Sequence, residues 1–297
     1  MKILLMEKRL QAIPPVMLVV IAVFLWSTGG LFIKLTSLDA YQVTFFRSLF
    51  AGITVLLITR RDGLRINGFG IFCTLIYSTL LFLFVWATKQ TTAANAIFLQ
   101  YTAPIYILVL APFVIGEKFR LRDLATVIFC IAGMSLFFVG DLSAGDIAGN
   151  IAALGSGVFL GLYILLLRHP KALGLSGTVT VIYGNFLLAI VTLPSGIAAI
   201  PTITLLDLFA VLFLGVLQIG IAYILFIKGV RGGTRPLDAS IIGFVEPLLN
   251  PVWVFVFIGE RPSQWAILGG AIIIITVLAH TLAQYRFKSE PPSVVGG

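Results

Sequence analysis

Long apolar runs dominate the chain, and short segments rich in charge, glycine or proline separate them. A helix needs about 20 mostly apolar residues to cross the hydrocarbon core of a bilayer. Divided at these separators, the sequence yields ten runs of roughly that length. They cover 15–35, 41–59, 68–88, 92–115, 121–140, 148–167, 176–195, 205–228, 236–258 and 263–285. The pattern therefore predicts an all-α integral membrane protein with about ten transmembrane helices.

The composition agrees with a surface that faces lipid. Of the 297 residues, 59% are hydrophobic and only 11% are charged, and the mean hydropathy is +1.09. About a quarter of the residues in an ordinary soluble domain are charged. A net charge of +8 would suggest nucleic-acid binding in a soluble protein. Here the bias of basic residues toward one membrane face explains it, so we expect the lipid bilayer as a partner and no nucleic acid.

The basic residues support the helix count and set the orientation. With a cytoplasmic N-terminus, all but four of the 20 Lys and Arg residues fall on the cytoplasmic side. Lys34, Lys89 and Arg261 fall on the opposite side, and Arg47 lies within a span. Cytoplasmic loops carry an excess of Lys and Arg in membrane proteins. We therefore expect a multi-pass protein of the inner (plasma) membrane with both termini in the cytoplasm.

Two segments of the chain match each other at a spacing of 143 residues. Ala96–Glu117 and Ala239–Glu260 both begin with Ala, carry a mid-helix proline, Pro104 or Pro247, and end in Gly-Glu. They lie on the fourth and ninth predicted helices, so the copies cross the membrane in opposite directions. Inverted repeats of this kind build many secondary transporters, whose site lies near the midplane between the halves.

The repeat divides the chain into two inverted units of five helices around a central cavity. The predicted division is a cytoplasmic N-terminus at 1–14, a first repeat at 15–140, a second repeat at 148–285 and a disordered cytoplasmic tail at 286–297.

Together these features resemble a known family. The first helix contains Phe24-Leu25-Trp26-Ser27 and ends near Lys34, the second contains Arg47, and the block of Pro followed by Gly-Glu occurs twice. This order resembles the EamA family of the drug/metabolite transporter superfamily over nearly the whole chain, as two EamA-like units. The resemblance implies ten helices around a central cavity, alternating access, and export or exchange of amino acids, related metabolites or drugs.

Glu246 is the clearest candidate for the substrate site. It lies near the middle of the ninth helix, where a charge costs about 2.5–3.5 kcal/mol on insertion scales. It could bind a substrate ammonium group or carry a coupling proton. Alternatively, it makes a structural hydrogen bond beside the break at Pro247.

Other polar and aromatic residues share that region. Asn250 lies one turn after Glu246, and the repeat places Gln100 on the matching face of the fourth helix. We predict that these residues bind substrate together with Trp26, Tyr101 and Tyr163. The alternatives are hydrogen bonding between helices for the two amides and packing for the aromatic rings.

Three further features have competing interpretations. Pro104 and Pro247 act either as hinges, which we favour, or as static kinks. We interpret Arg47 as a side chain that snorkels or makes a structural contact rather than as an anion-binding group. The small residues Gly149, Ala153, Gly157 and Gly161 on the sixth helix form a stripe that favours close helix packing.

Catalytic and cofactor motifs are scarce. Gly174-Leu175-Ser176-Gly177 matches a protease motif but lies at a helix edge, and no metal or nucleotide motif is present in the sequence. We therefore expect no enzyme, no cofactor and no metal site. The prediction is a secondary active transporter of a small metabolite, exporter or exchanger, with proton coupling as an option, as a monomer or homodimer. A channel-like or assembly subunit is the alternative, and an intramembrane enzyme is a more remote one.

Overall fold

The chain folds into helices throughout the part that a computed structural model describes, residues 13–91, 93–136, 139, 147–258 and 264–289. No strand occurs within those ranges. Apart from short 3₁₀ turns, the helices are α1 (Pro15–Trp26), α2 (Gly29–Leu35), α3 (Ala40–Thr59), α4 (Gly68–Gln90), α5 (Ala93–Gln100), α6 (Ala103–Val114), α7 (Leu121–Leu136), α8 (Ile147–Leu166), α9 (Val179–Val191), α10 (Leu193–Ala199), α11 (Leu205–Phe213), α12 (Ala222–Arg231), α13 (Pro236–Gly243), α14 (Val245–Ile258) and α15 (Gln264–Ser289), with a π-helical segment at Leu214–Ile221 between α11 and α12.

Six helical segments are long and apolar enough to cross a membrane within the described ranges, and α9 with α10 forms a seventh if the pair is one span. That pair bends by 65°. In the remaining predicted runs the described apolar helix is shorter or interrupted. The six segments are Pro15–Leu35, Ala40–Asp62, Gly68–Gln90, Asn95–Val114, Ile147–Leu166 and Leu205–Arg231.

Contacts between helix termini define two ends of the bundle. At one end, α1 begins beside the end of α12, where a Cβ atom on Gly232 would lie 3.2 Å from the Pro15 ring. At the other, Thr36 follows α2 and donates a hydrogen bond to Asp207 at the start of α11. We call these the Pro15 end and the Leu35 end. The α1–α2 pair and the α11–α12 segment therefore run in opposite directions between them.

Polar caps in the sequence explain where several helices begin. Asp39 accepts from the backbone of Gln42, whose side chain accepts from the backbone of Asp39, so both orphan N–H groups at the start of α3 are satisfied. Thr204 and Asp207 form the same reciprocal box at the start of α11. Asn67 caps α4.

Hydroxyl groups stabilise several helix breaks. Ser27 and Thr28, between α1 and α2, donate to the carbonyls of Phe24 and Leu25 at 2.6 Å. Thr102 does the same between α5 and α6, at 2.7 Å from the Leu99 carbonyl. A carbonyl in hydrocarbon must find a donor within the protein. Local hydroxyls supply one at each of these breaks.

The breaks beside the two repeated prolines coincide under the 143-residue spacing. The α5–α6 pair breaks after Gln100, and the α13–α14 pair breaks after Gly243. Proline lacks an N–H and clashes with the carbonyl four residues earlier, which explains why both breaks precede Pro104 and Pro247. The Leu35 end lies beside the start of α5, whereas the Pro15 end lies beside the start of α13, so the two broken pairs run in opposite directions.

The two breaks also contact each other. Tyr101 and Phe244 are separated by 143 residues, and their ring centroids lie 5.6 Å apart. Gly243 allows this approach, since a Cβ atom there would lie 2.8 Å from the Tyr101 ring. Matching positions of the two segments therefore meet near the middle of the bundle.

The small-residue stripe of α8 packs against the first break. A Cβ atom on Gly157 would lie 2.8 Å from the Gln100 carbonyl oxygen and 3.1 Å from that of Leu99. One on Gly161 would lie 3.0 Å from the Ala103 carbonyl oxygen. The stripe lets α8 approach the backbone of the broken pair, which is the close-packing interpretation of the sequence.

A Gly157→Ala variant should therefore unfold more easily than the parent. The new methyl group meets rigid backbone carbonyls, and overpacking of this kind costs about 1–3 kcal/mol. The matched control is Gly155→Ala on the same helix, whose Cβ atom would meet only the flexible Leu83 side chain at 3.3 Å. Thermal unfolding in detergent should show a lower midpoint for Gly157→Ala alone. Equal midpoints for the two variants would contradict the packing described here.

Candidate functional site

A small polar cavity lies beside the two proline-associated breaks. Its volume is about 30 Å³, room for roughly two water molecules. Helices from both halves of the chain contribute to it. The lining residues are Trp26, Arg47, Leu80, Leu81, Phe84, Gln100, Tyr101, Leu160, Gln218, Ile219, Tyr223 and Glu246.

Glu246 and Tyr101 form the central contact of this cavity. The Tyr101 hydroxyl donates to Glu246 Oε2 at 2.6 Å, and both side chains are buried. Tyr101 lies in the first break. Glu246 is the second residue of α14, just after the second break. The hydrogen bond therefore joins the two broken pairs across the cavity. It brings together two of the predicted site residues.

Gln100 lines the cavity while it holds neighbouring helices. Its Nε2 atom donates to the Ser156 hydroxyl on α8 at 2.7 Å. The Ser156 hydroxyl in turn lies 3.3 Å from the Leu80 carbonyl oxygen on α4. The interhelical hydrogen bond raised as one alternative for this amide is therefore present, and substrate binding by Gln100 stays a prediction.

Trp26 reaches the cavity from the end of α1. Its ring centroid lies 4.8 Å from that of Tyr223 and 4.7 Å from that of Phe226. The indole Nε1 atom is buried and finds no hydrogen-bond acceptor among the described residues. A buried indole N–H ordinarily has a partner. This donor therefore points to a ligand or water that completes the cavity.

The structure decides between parts of the sequence interpretation of Arg47. Its side chain is 2% exposed and lines the cavity, so it does not snorkel toward the membrane surface. The other option, a structural contact, is compatible with this position. The Arg47 Nη1 atom has no hydrogen-bond partner in the part of the chain that the structure describes. The charge faces inward because the face of α3 that carries it packs against the π-helical segment, where Gly215 approaches the Arg47 carbonyl.

The π-helical segment also contributes Gln218, which is not among the residues predicted for the site. Its Oε1 atom is buried without a partner among the described residues. π-helical turns are rare and frequently occur at functional sites. The apolar run at 205–228 contains no signal for this turn, so hydropathy alone could not assign the amide to the cavity.

The remaining predicted site residues have different positions. Tyr163 is absent from the lining, and its hydroxyl is paired with that of Thr180 at 3.1 Å. Its ring lies 6.3 Å from that of Tyr223, one side chain away from the cavity. The side chain of Asn250 lies outside the described part of the structure. Substrate binding by these two residues, as by the four that line the cavity, stays a prediction.

The predicted hinge residues flank the lining residues in sequence. Pro104 lies three residues after Tyr101, and Pro247 directly follows Glu246. Movement at either break would displace one partner of the Tyr101–Glu246 hydrogen bond. Their hinge role stays a prediction.

Two larger cavities lie away from this cluster. One, of about 290 Å³, opens beside Pro15 and His280 at the Pro15 end. The other, of about 500 Å³, is a mostly apolar groove between α7 and α15. Among the described residues, the small cavity is lined by three with an unpaired buried polar atom, Trp26, Arg47 and Gln218, whereas the cavity beside Pro15 is lined by one, Thr234. We therefore place the candidate site in the smaller one, since specific sites need a few convergent polar groups.

The cavity offers complementary hydrogen-bonding chemistry. Arg47 and Trp26 present N–H donors, whereas Gln218 and Glu246 present oxygen acceptors. Within the described ranges, no group of three or more His, Cys, Asp or Glu side chains could hold a metal ion. The arrangement suits reversible binding of a small polar molecule.

Thiol labelling can test whether water reaches this cavity. In a background with Cys73→Ala and Cys130→Ala, Gln100→Cys or Gln218→Cys should react with a small charged thiol reagent, because transient opening admits it. The control is Phe113→Cys, whose parent side chain is 84% exposed on the outer surface of α6. It should stay unlabelled in lipid vesicles. Labelling of the control and protection of both cavity positions would mean that the cavity lacks access to water.

Known proteins that resemble this chain are membrane transporters. The family model described as the EamA-like transporter family matches residues 13–139 and 147–282. Solute carrier family 35 member G1 of Homo sapiens is 26% identical, covering 86% of this chain and 75% of that protein. An uncharacterised transporter of Bacillus subtilis strain 168 is also 26% identical, with coverage of 91% and 90%.

Two further comparisons extend this likeness. The pseudopaline exporter CntI of Pseudomonas aeruginosa is 22% identical, covering 89% of this chain and 94% of the exporter. A solved crystal structure at 20% identity superposes with a TM-score of 0.76 over 93% of this chain and 99% of its own, which shows the shared fold. The family model accounts for nearly the whole described chain. This multi-pass, all-helical membrane protein therefore belongs to the EamA-like transporter family.

Proposed function

We propose that the protein is a secondary active transporter that exports or exchanges a small metabolite, such as an amino acid, by alternating access across a bacterial inner membrane. One observation carries the proposal: a small cavity lined by both halves of the chain collects Arg47, Trp26 and Gln218, each of which has a buried polar atom without a partner among the described residues. Unpaired buried polar groups cost free energy in the resting protein. A polar substrate would supply the missing partners.

The proposed architecture is ten spans in two inverted repeats. Support comes from the coincident breaks after Gln100 and Gly243, from the opposite directions of the two broken pairs, and from the contact between Tyr101 and Phe244. Pseudo-twofold symmetry of this kind gives inward-open and outward-open states of similar energy. The proposal follows the same division of the chain that the sequence predicts, with repeats at 15–140 and 148–285.

A network of charged groups at the Pro15 end would act as one gate. Arg235 binds Glu117 and lies 3.0 Å from Asp123 and 3.5 Å from Asp238. Burial would lower the pKa of Arg235, but its hydrogen bonds to Glu117 and Asp123 and the charge of Asp238 raise it instead, so the guanidinium stays charged. His280 connects α15 to this network, since its Nε2 atom lies 2.9 Å from Asp238 Oδ1.

A second network at the Leu35 end would act as the opposite gate. The Asp207 carboxylate accepts from Thr36, from the backbone and hydroxyl of Ser37, and from the backbone and hydroxyl of Thr204, at 2.6–3.0 Å. Lys34 and Lys89 donate to carbonyls of this end at 3.0 Å. In this proposal the two networks would close the two ends in turn, and the cavity of about 30 Å³ would have to widen to admit a metabolite.

The orientation follows from the charges at the two ends. Arg231, at the Pro15 end, donates to the carbonyls of Leu175 and Ala172, and Arg168 donates to that of Thr234. The positive-inside rule would place this basic end in the cytoplasm. Both termini would then be cytoplasmic.

Locking the Leu35 end should stop transport if the two ends open in turn. Ser37 and Thr204 suit this test because both hydroxyls lie within 3.0 Å of Asp207 Oδ2. In the cysteine-free background, a short thiol cross-linker between Ser37→Cys and Thr204→Cys should reduce flux to background, and cleavage of the linker should restore it.

Each single-cysteine variant treated in the same way is the control, and it should keep its flux. Full transport through a completely cross-linked double variant would contradict alternating access. Flux that neither saturates nor shows counter-exchange would instead favour a channel.

Glu246 is proposed to couple substrate movement to protons. Glu246→Gln keeps the size of the side chain and can still accept from Tyr101, but it holds the neutral form. The variant should fold and exchange substrate across vesicles, yet lose accumulation driven by a pH gradient. Exchange and pH-driven uptake are measured on the same vesicles.

Tyr101→Phe is the matched control, because it removes the hydrogen bond and leaves the acid. Its uptake can fall, because Tyr101 lines the cavity, but the uptake that remains should still be driven by the pH gradient. A Glu246→Gln variant that still accumulates substrate against a pH gradient would eliminate the coupling role. Weakened binding at every pH would indicate contact with a substrate ammonium group instead.

A further inference from the structure

The Arg47 guanidinium is buried at the cavity without a direct ion pair among the described residues. Within those residues its Nη1 atom has no hydrogen-bond partner. Glu246 is the one acidic residue that lines the cavity in the described part of the chain, and it accepts from Tyr101 instead. Arginine stays protonated in proteins. The cavity therefore contains a buried guanidinium with an unpaired N–H group, and only the Glu246 carboxylate among the described lining residues opposes its charge.

The position of Arg47 prevents its escape to water. It lies seven residues into α3, about 10 Å along the helix from Ala40. The backbone is held as well, since a Cβ atom on Gly215 would lie only 2.7 Å from the Arg47 carbonyl oxygen. A charge in this setting is costly, and ionisable groups inside membrane proteins generally mark pathways for substrates or ions.

Other groups favour an anion at the same place. Trp26 contributes a second N–H without an acceptor, and it lines the same cavity as Arg47. A carboxylate can accept from a guanidinium through both oxygens and still accept from an indole N–H. The Glu246 carboxylate disfavours a doubly charged phosphate in so small a space, since like charges repel strongly in a medium of low dielectric.

We infer that Arg47 binds a carboxylate group of the substrate and that this contact sets the specificity of the transporter. The inference rests on the proposed transport function and specifies its substrate class as carboxylate-bearing small molecules. Neutral amides of the same shape would leave the guanidinium without a direct ion pair. They would therefore bind weakly, although their size and remaining groups are nearly unchanged.

The test measures ligand-induced thermal stabilisation of the purified full chain. The probes are matched pairs of acid and amide: lactate and lactamide, leucine and leucinamide, phenylalanine and phenylalaninamide. At least one acid should stabilise the parent protein while its amide does not. Arg47→Gln should bind that acid about 100-fold more weakly, the loss expected when one partner of a buried charge pair is removed.

The unliganded variants separate a binding role from a structural one. Arg47→Gln should unfold at the same temperature as the parent or higher, because it removes a buried charge that has no direct ion pair. Arg47→Lys keeps the positive charge, so it should retain part of the preference for the acid. It should lose the rest, because lysine lacks the planar fork of arginine. Arg60→Gln changes an exposed arginine near the end of the same helix and should match the parent throughout.

Three outcomes would overturn the inference. They are equal stabilisation by acids and amides, no stabilisation by any acid, and acid binding that survives in Arg47→Gln. If Arg47→Gln fails to fold, a preference for acids that is as strong in Arg47→Lys as in the parent overturns it as well.

Transport is measured separately on vesicles, so that the two proposals fail in different ways. Saturable flux without any preference for acids would support the proposed transport function and contradict the proposed role of Arg47. Arg47-dependent binding of an acid without flux or exchange would do the reverse.

Discussion

Every carbonyl in the hydrocarbon region needs a donor, and proline removes one. Pro104 and Pro247 each interrupt the backbone ladder of an apolar segment, so each break must lie where protein or a polar cavity can replace the missing bond. Both breaks lie beside the central cavity. At the first break, the Thr102 hydroxyl donates a hydrogen bond to the Leu99 carbonyl. This constraint places irregular backbone at the middle of the bundle and puts Tyr101 and Glu246 within hydrogen-bond distance.

The same region depends on small residues. Gly157 and Gly161 bring α8 against the carbonyls of the first break, while Gly243 admits the ring of Tyr101. Lipid offers no hydrophobic drive for helix association, so close packing and polar contacts between helices contribute most. The glycines allow the broken pairs to approach, and the hydrogen bonds from Gln100 and Tyr101 then hold them.

Charge is distributed according to its access to water. At the two ends, Arg235 and Asp207 are surrounded by several partners, so each end is closed by polar contacts. In the middle, the Nη1 atom of Arg47 has no hydrogen-bond partner among the described residues. In the proposed cycle, opening either end would exchange its contacts for water at a modest cost, whereas the centre would gain a partner when a ligand arrives.

The sequence by itself determined the helical architecture, the position of the helices and the two proline breaks, because the period and length of apolar runs and the chemistry of proline are local properties. It also singled out Trp26, Gln100, Tyr101 and Glu246, which line one cavity in the structure, since a polar or deep aromatic side chain on an apolar helix is unusual. The tertiary structure alone decided the rest. It turned Arg47 inward, brought Gln218 to the cavity through a π-helical turn and separated Tyr163 from the lining. Which face of a helix meets which neighbour depends on contacts between distant segments. A helix that is apolar on nearly every side has no distinct apolar face, so its hydropathy pattern cannot predict those contacts.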